Sequence, residues 1–195
     1  MHWLREGGLQ RDFERFVTDS TGQLLRSAYL MTSDLAEAED LVQETLLRVA
    51  RRWTKVRAME HPAAYARRIL VNLVLDGAGQ RARHTGELAA SARPGLPDWA
   101  DARAERDLRD VDTQEELLRA LGMLPARQRA VIVLRYWEDL PEAEVAAILG
   151  CSVGTVKSTA SRGLARLRAA VADGESGQPA GAQGAAVTSK GKITR

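Results

Sequence analysis

Apolar residues recur at steps of three and four along most of the chain, a spacing that predicts amphipathic helices. One stripe runs from Leu9 to Met31, and a second from Leu35 to about Trp53, with Ser33 as the predicted N-cap of the second helix. A third segment, from Ala63 to about Gln80, is apolar on nearly every side. Its ILVNLVL core also fits a buried strand, but the flanking residues extend it to helical length. The pattern predicts an all-α fold.

The helical spacing is interrupted between residues 84 and 111. Gly, Pro, Ala and acidic residues replace the apolar stripe there, and Pro94-Gly95 and Pro97-Asp98 are helix breakers. Helical spacing resumes at Asp112 and ends near Ala172, and the remainder has too few apolar residues to fold alone. We therefore predict two small helical domains, over residues 10–83 and 112–172, joined by a flexible acidic linker over 84–111 and followed by a disordered tail over 173–195.

The second helical block contains the spacing of a helix-turn-helix. A helix is predicted from Pro125 to Trp137, and Pro141 opens a short helix that Gly150 ends, because glycine adopts the left-handed conformation at little cost. Ser152 is placed to cap the next helix. The apolar stripe of that last helix consists of Val153, Val156, Ala160, Leu164, Leu167 and Val171.

Short hydroxyl side chains and cations occupy the rest of the same helix. In the major groove of duplex DNA, Arg bonds guanine edges bidentately and hydroxyls reach bases or phosphates. A solvated face of a helical hairpin is the alternative, but the turn, the stripe and the charge together favour DNA binding. The predicted reading face comprises Thr155, Lys157, Ser158, Ser161, Arg162 and Arg166.

The overall charge, with 28 Lys and Arg against 26 Asp and Glu, hides a strong segregation. Residues 61–84 carry a net charge of +3, residues 152–172 carry +4, and residues 85–116 between them carry −5. Basic segments of this kind are typical of contact with a polyanion. For the acidic linker, mimicry of nucleic acid and prevention of premature DNA binding remain alternative hypotheses.

Several other chemistries are not expected. Cys151 is the single cysteine, the three histidines have no paired spacing, and no Ser/His/Asp or Cys/His arrangement indicates catalysis, so we predict no metal, no cofactor and no enzymatic activity. Gly77-Ala78-Gly79-Gln80-Arg81-Ala82 has the form of a dinucleotide fingerprint, but its glycines close a helical pattern instead of following a strand. No apolar run approaches the length of a membrane span, and no secretory signal is visible, so no membrane insertion is expected.

Three motifs in order resemble those of the extracytoplasmic-function (ECF) group of bacterial sigma factors. AEDLVQETLLRVARRW is similar to the helix that binds core RNA polymerase, and HPAAYARRILVNLVLDGAGQRARH to the promoter-melting helix. LPARQRAVIVLRYWEDLPEAEVAAILGCSVGTVKS is close to the C-terminal promoter-binding domain. The resemblance covers about residues 10–82 and 113–171. It implies promoter-specific transcription initiation with core polymerase, often under the control of an anti-sigma protein.

The resemblance also implies roles for particular residues. Asp40, Gln43 and Glu44 would contact the clamp helices of the largest polymerase subunit, and the second domain would contact the flap region. The loop from Lys55 to Pro62 would hold a base flipped out of the non-template strand, since an unstacked base needs new stacking and its phosphates need cations. The predicted minus-ten residues are Asn72, Asp76, Gln80, Arg81 and Arg83, and the minus-thirty-five duplex would be read by the face of the last helix.

Two positions depart from the family pattern. Thr159 stands where relatives often have Arg, which predicts a weaker phosphate contact, and Tyr65 stands where relatives commonly have Trp. The main rival interpretation is a helix-turn-helix regulator that binds duplex DNA without polymerase, and a more distant rival is a helical scaffold for acidic proteins. For Asp40, Gln43 and Glu44 taken alone, a solvated helix face is the alternative.

Overall fold

The computed structural model describes residues 2–84 and 110–176, and all regular structure within these ranges is helical. The first block contains α1 (His2–Thr32), α2 (Leu35–Ala50), the single turn α3 (Trp53–Val56) and α4 (Pro62–His84). The second block contains α5 (Asp110–Gly122), α6 (Ala126–Ile132), a π-helical turn (Val133–Trp137), α7 (Glu142–Leu149) and α8 (Val153–Ser176). The all-α prediction is confirmed. The proposed linker, apart from its two ends, and nearly all of the tail lie outside the described residues.

The junction between α1 and α2 corrects the predicted cap. Ser33 takes the left-handed conformation, with φ of 61°, and its N–H donates to Tyr29 O at 2.7 Å, so it ends α1 instead of opening α2. Asp34 is the N-cap, and its carboxylate accepts a hydrogen bond from the N–H of Glu37 at 2.9 Å. The spacing of apolar residues located the boundary between α1 and α2. Ser33 and Asp34 both have side chains that can cap a helix, so the spacing alone did not select the N-cap.

Helix α2 ends at Ala50, three residues before the predicted end at Trp53. Trp53 instead begins the short α3, and its ring packs against Phe13 and Phe16 with centroids 5.3 and 5.1 Å away. Its indole N–H donates to Leu9 O at 3.1 Å, which joins α3 to α1. Trp53 is therefore a packing residue.

Helix α4 passes through the centre of the first block. Ala66, Leu70, Val71 and Val74 are buried on it, against α1 and α2. The helix continues without interruption through residues 77–82, so the glycines of the apparent dinucleotide fingerprint lie within helical backbone and form no phosphate loop.

The second block confirms the turn chemistry of the helix-turn-helix. Gly150 has φ of 60° and ψ of 42°, and the N–H of Thr155 donates to Ser152 Oγ at 3.1 Å as the first bond of α8. A Cβ on Gly163 would lie 3.1 Å from a carbon of Ile132, so α8 crosses α6 at a point where only a hydrogen fits comfortably. Val153, predicted in the buried stripe, is 39% exposed because it stands at the first turn, before α8 reaches its neighbours.

The helix predicted from Pro125 to Trp137 is regular only as far as Ile132. It then widens into the π-helical turn, and Tyr136 and Trp137 are exposed. A widened turn advances each residue by a smaller angle than an α-helix, which moves these side chains off the buried stripe.

The two blocks are in contact. Helices α1 and α4 pack against α5, α6 and α7, and buried apolar residues of both blocks form one continuous cluster. In the described ranges, no helix has the length and apolar character needed to cross a bilayer.

Candidate nucleic-acid interface

Helix α8 presents a polar face from its first turn onward. All six residues predicted for this face are exposed, and Lys157, Arg162 and Arg166 are its positively charged side chains. The structure therefore brings together the cations and hydroxyls that were selected from the helical spacing.

Hydrogen bonds already order part of this face. Ser152 Oγ and Thr155 Oγ1 lie 2.9 Å apart, so the Thr155 hydroxyl belongs to the cap of α8. Ser158 donates to Thr155 O at 3.1 Å, and Arg162 Nε donates to Ser158 O at 3.2 Å. The Arg162 side chain thus follows the helix toward its N-terminus, the end that recognition helices direct at base edges.

Two cations at the edges of the face contact neighbouring helices. Lys157 Nζ lies 3.5 Å from a carboxylate oxygen of Glu142 on α7, and Arg166 donates to Gln128 Oε1 on α6 at 3.2 Å. Both pairs are solvent-exposed, where such contacts contribute little free energy and leave a side chain able to exchange its partner for a phosphate.

Thr159 is buried, with only 6% of its surface exposed, and it faces the interior of the second block. The expectation of a weakened phosphate contact at this position assumed a side chain directed toward DNA. The structure contradicts that premise for Thr159 itself, because Thr159 lies three residues after Val156 and one before Ala160, on the buried side of α8.

The minus-ten candidates lie along α4. Asn72, Asp76 and Gln80 are all exposed and follow one another at four-residue steps, so they form one strip on the surface of α4. The side chains of Arg81 and Arg83 are outside the described part of the structure.

The loop before α4 is shorter than predicted. Lys55 and Val56 belong to α3, and Val56 is fully buried, which leaves residues 57–61 as the exposed connection. Met59 is 42% exposed in this loop. Arg52 donates to Tyr65 Oη at 3.3 Å, so the tyrosine that replaces the family tryptophan contributes a polar contact beside the loop.

The candidate polymerase-binding residues share one face of α2. Asp40 and Gln43 are exposed, and Glu44 accepts a hydrogen bond from Arg48 at 2.7 Å. Leu47 lies on the same face, four residues after Gln43, and is 52% exposed. Sequence reasoning missed Leu47 because its neighbour Leu46 fits the apolar stripe. The sequence did contain a signal: Leu47 is a large apolar residue that lies one position outside the stripe, so it is expected to face solvent or a partner.

Other chemistry is limited in the described ranges. No group of His, Cys, Asp or Glu residues there could hold a metal ion. Cys151 is partly buried and packs against the apolar cluster, so it is a small packing residue.

Comparison with known proteins agrees with this geometry. Residues 16–84 match sigma-70 region 2, and residues 114–167 match sigma-70 region 4. The RNA polymerase sigma-E factor of Streptomyces coelicolor is 38% identical over 159 residues, covering 80% of this chain and 84% of the relative. The ECF RNA polymerase sigma factor SigE of Mycolicibacterium smegmatis is 32% identical over 156 residues, covering 80% of this chain and 60% of that protein.

A solved structure has a similar fold. The sigma factor RpoE of Bartonella quintana, in complex with the anti-sigma factor NepR, is 28% identical with a TM-score of 0.66, over 83% of this chain and 98% of that one. The chain belongs to the ECF group of the sigma-70 family. Its function is polymerase-associated, promoter-specific transcription initiation, and these matches do not favour the polymerase-independent regulator.

Proposed function

We propose that the chain reads its promoter with two separate surfaces while a third binds core polymerase. The observation that carries the proposal is the exposed face of α8, which combines hydroxyls with cations and has no acidic residue between 152 and 172. A helix of this composition suits the major groove, so we assign Thr155, Lys157, Ser158, Ser161, Arg162 and Arg166 to the minus-thirty-five duplex.

For the minus-ten element, we assign the exposed strip Asn72, Asp76 and Gln80, together with Arg81 and Arg83. The neighbouring loop 57–61 would accept a base flipped out of the non-template strand. The half-exposed Met59 offers an apolar surface for that base, and exposed Arg52 and Arg57 lie close in sequence for its phosphates.

For core polymerase, we assign Asp40, Gln43, Glu44 and Leu47 on α2 to the clamp helices of the largest subunit. An exposed leucine bordered by polar residues has the character of an interface anchor with a polar rim. The second block would contact the flap region. We assign no catalytic reaction to the chain itself, because sigma factors act as initiation factors.

An anti-sigma protein is a further proposed partner. The structural relative from Bartonella quintana is described with such a protein, and the match covers more of this chain than either helical block alone.

The test is transcription from a promoter library with purified core polymerase, in the presence and absence of the chain. We expect initiation at a defined subset of promoters only when both are present. Tight duplex binding by the chain alone, without any core-dependent initiation, would show that it is the regulator instead. The variant Leu47→Asn should weaken binding to core polymerase.

A further inference from the structure

One cation of the proposed reading face is paired with a carboxylate from the neighbouring helix. Lys157 Nζ on α8 lies 3.5 Å from Glu142 Oε2 on α7, and the two side chains are 64% and 34% exposed. Glu142 lies in the first turn of α7, and Lys157 lies in the N-terminal part of α8, the part that recognition helices direct at base edges. The Glu142–Lys157 pair therefore lies where the helix-turn-helix approaches DNA.

The other acidic residues around α7 have different surroundings. Glu138 and Glu144 both form ion pairs with Arg67 on α4, the latter at 3.5 Å. Asp139 is exposed on the connection before α7. Among these acidic residues of the described structure, Glu142 is the one that forms an ion pair with a cation of the reading face.

Arg166, the cation at the opposite edge of the reading face, provides a contrast. It donates to the neutral amide oxygen of Gln128 at 3.2 Å. If Arg166 exchanged this partner for a phosphate, it would leave an uncharged group behind. If Lys157 did the same, it would leave the carboxylate of Glu142 beside the phosphate, and like charges brought together at an interface are unfavourable. The two edge cations therefore differ in how readily a phosphate can recruit them.

The place of Glu142 in α7 strengthens this effect. The first helix of a helix-turn-helix crosses the DNA backbone, and the N-terminus of a helix attracts anions such as phosphate. In this chain, the first turn of α7 already carries the carboxylate of Glu142, at the end where the helix dipole favours an acid. A phosphate that approached this turn would meet a negative charge in place.

The same carboxylate leaves Lys157 able to bind a base. An ammonium group has three N–H donors, so a contact with Glu142 leaves two donors for acceptors such as O6 and N7 of guanine. The lysine stem is flexible, and an ion pair that restricts it lowers the entropy lost on binding. Because the pair is exposed, it adds little to the stability of the fold. Its effect concerns what Lys157 binds.

We propose that Glu142 is a specificity-determining residue of the reading face. It positions the Lys157 ammonium for base edges and opposes the use of that charge on the phosphates of unrelated DNA. The Glu142–Lys157 pair thereby raises the ratio of specific to non-specific affinity. This role rests on the proposed reading of the minus-thirty-five duplex by α8.

The test compares two duplexes bound by the full chain. One contains the minus-thirty-five element of a promoter that the parent selects with core polymerase, and the other has the same base composition in scrambled order. Fluorescence anisotropy gives both affinities over a series of salt concentrations. Glu142→Gln should bind the scrambled duplex about three- to eightfold more tightly at about 0.1 M salt, because one more phosphate is neutralised, and should steepen the salt slope by about 0.9. Its affinity for the selected duplex should change less than twofold.

Two further variants separate this effect from general electrostatics. Asp139→Asn removes one negative charge from the exposed connection before α7, and Asn tolerates the positive φ of 51° at that position. It should change the affinity for the scrambled duplex by less than twofold. In a Lys157→Met background, Glu142→Gln should leave the salt slope unchanged, since the ammonium that it releases is absent.

The role of Glu142 is refuted if Glu142→Gln keeps both the parental ratio of affinities and the parental salt slope. It is also refuted if Asp139→Asn has an equal effect, or if the steeper slope persists without Lys157. Loss of folding would lower both affinities, so it cannot imitate the expected gain on scrambled DNA. A parent that binds the two duplexes equally would instead refute the proposed reading by α8, a result distinct from a failure of Glu142 alone.

Discussion

Helices α4 and α8, the two helices that we assign to promoter reading, divide their surfaces differently. α4 buries Ala66, Leu70, Val71 and Val74, carries Arg67 in the contact between blocks, and exposes Asn72 and Asp76 close to those buried positions. α8 buries one stripe around Val156 and Ala160 and presents all its other sides to solvent. On α4, the residues that stabilise the fold lie next to those that we assign to the promoter. On α8, the two sets of residues lie on separate faces.

The largest expected effect concerns the core around α4. Leu70 is fully buried there, so Leu70→Ala removes packed methyl groups and should lower the free energy of unfolding by about 3 kcal/mol, measured by urea denaturation. Leu167→Ala, on the partly buried stripe of α8, is the matched truncation and should cost clearly less. Equal losses of free energy of unfolding in the two variants would contradict the stated difference between α4 and α8.

The next largest effect is a loss of DNA binding that leaves the stability of the fold unchanged. Arg162→Ala should weaken binding to the minus-thirty-five duplex by roughly ten- to hundredfold, since a bidentate contact to a base contributes about 1–3 kcal/mol of discrimination. Its free energy of unfolding and its binding to core polymerase should stay close to the parent, because the side chain is exposed and bonds only its own helix.

Arg168→Ala is the control for that prediction. Arg168 is exposed on the same helix but outside the proposed reading face, so its loss should reduce duplex affinity much less and equally for all sequences. The assignment of the reading face fails if the two arginine variants weaken binding to the same extent, or if Arg162→Ala also abolishes binding to polymerase.

A smaller effect is expected at the start of α8. Ser152→Ala removes the hydroxyl that accepts from the N–H of Thr155 and contacts its side chain, and should cost about 1 kcal/mol in unfolding experiments. Ser152→Asp, which keeps an acceptor at the N-cap, should retain most of that stability. If Ser152→Ala unfolded the whole second block, the residues at the start of α8 would contribute to stability as well as to recognition, contrary to the comparison with α4.

The smallest effect lies within the first block at high pH. Burial raises the pKa of Tyr29, and the negative charge of Asp34 adds to the shift. A tyrosine in the unfolded chain ionises near pH 10, so above that pH the unfolded state loses a proton that the folded state retains, and stability falls as the pH rises. The contribution is fully present below pH 10.

The comparison of Tyr29→Phe with the parent isolates this group. Between about pH 9.5 and 11, the free energy of unfolding of the parent should fall more steeply with pH than that of the variant. Parallel slopes for the two proteins would show that Tyr29 ionises equally in both states.

The sequence by itself determined the features that depend on neighbours along the chain. Helical spacing, the glycine after α7, the cap at Ser152 and the segregation of charge all act within a few residues, so each left a readable pattern. The order of three family motifs added the functional class. Where two local solutions competed, as at Ser33 and Asp34, the pattern could place the boundary but could not choose between them.

Only the tertiary structure decided which polar groups are buried and what they contact. Ser27 and Glu138 are separated by 111 residues, and nothing in either local sequence predicts a bond between them. The burial of Thr159 and the exposure of Tyr136 likewise follow from how α8 and the π-helical turn meet their neighbours. The free energy of a buried charge depends on the partners that surround it in space, and those partners are specified by the packing of the whole molecule.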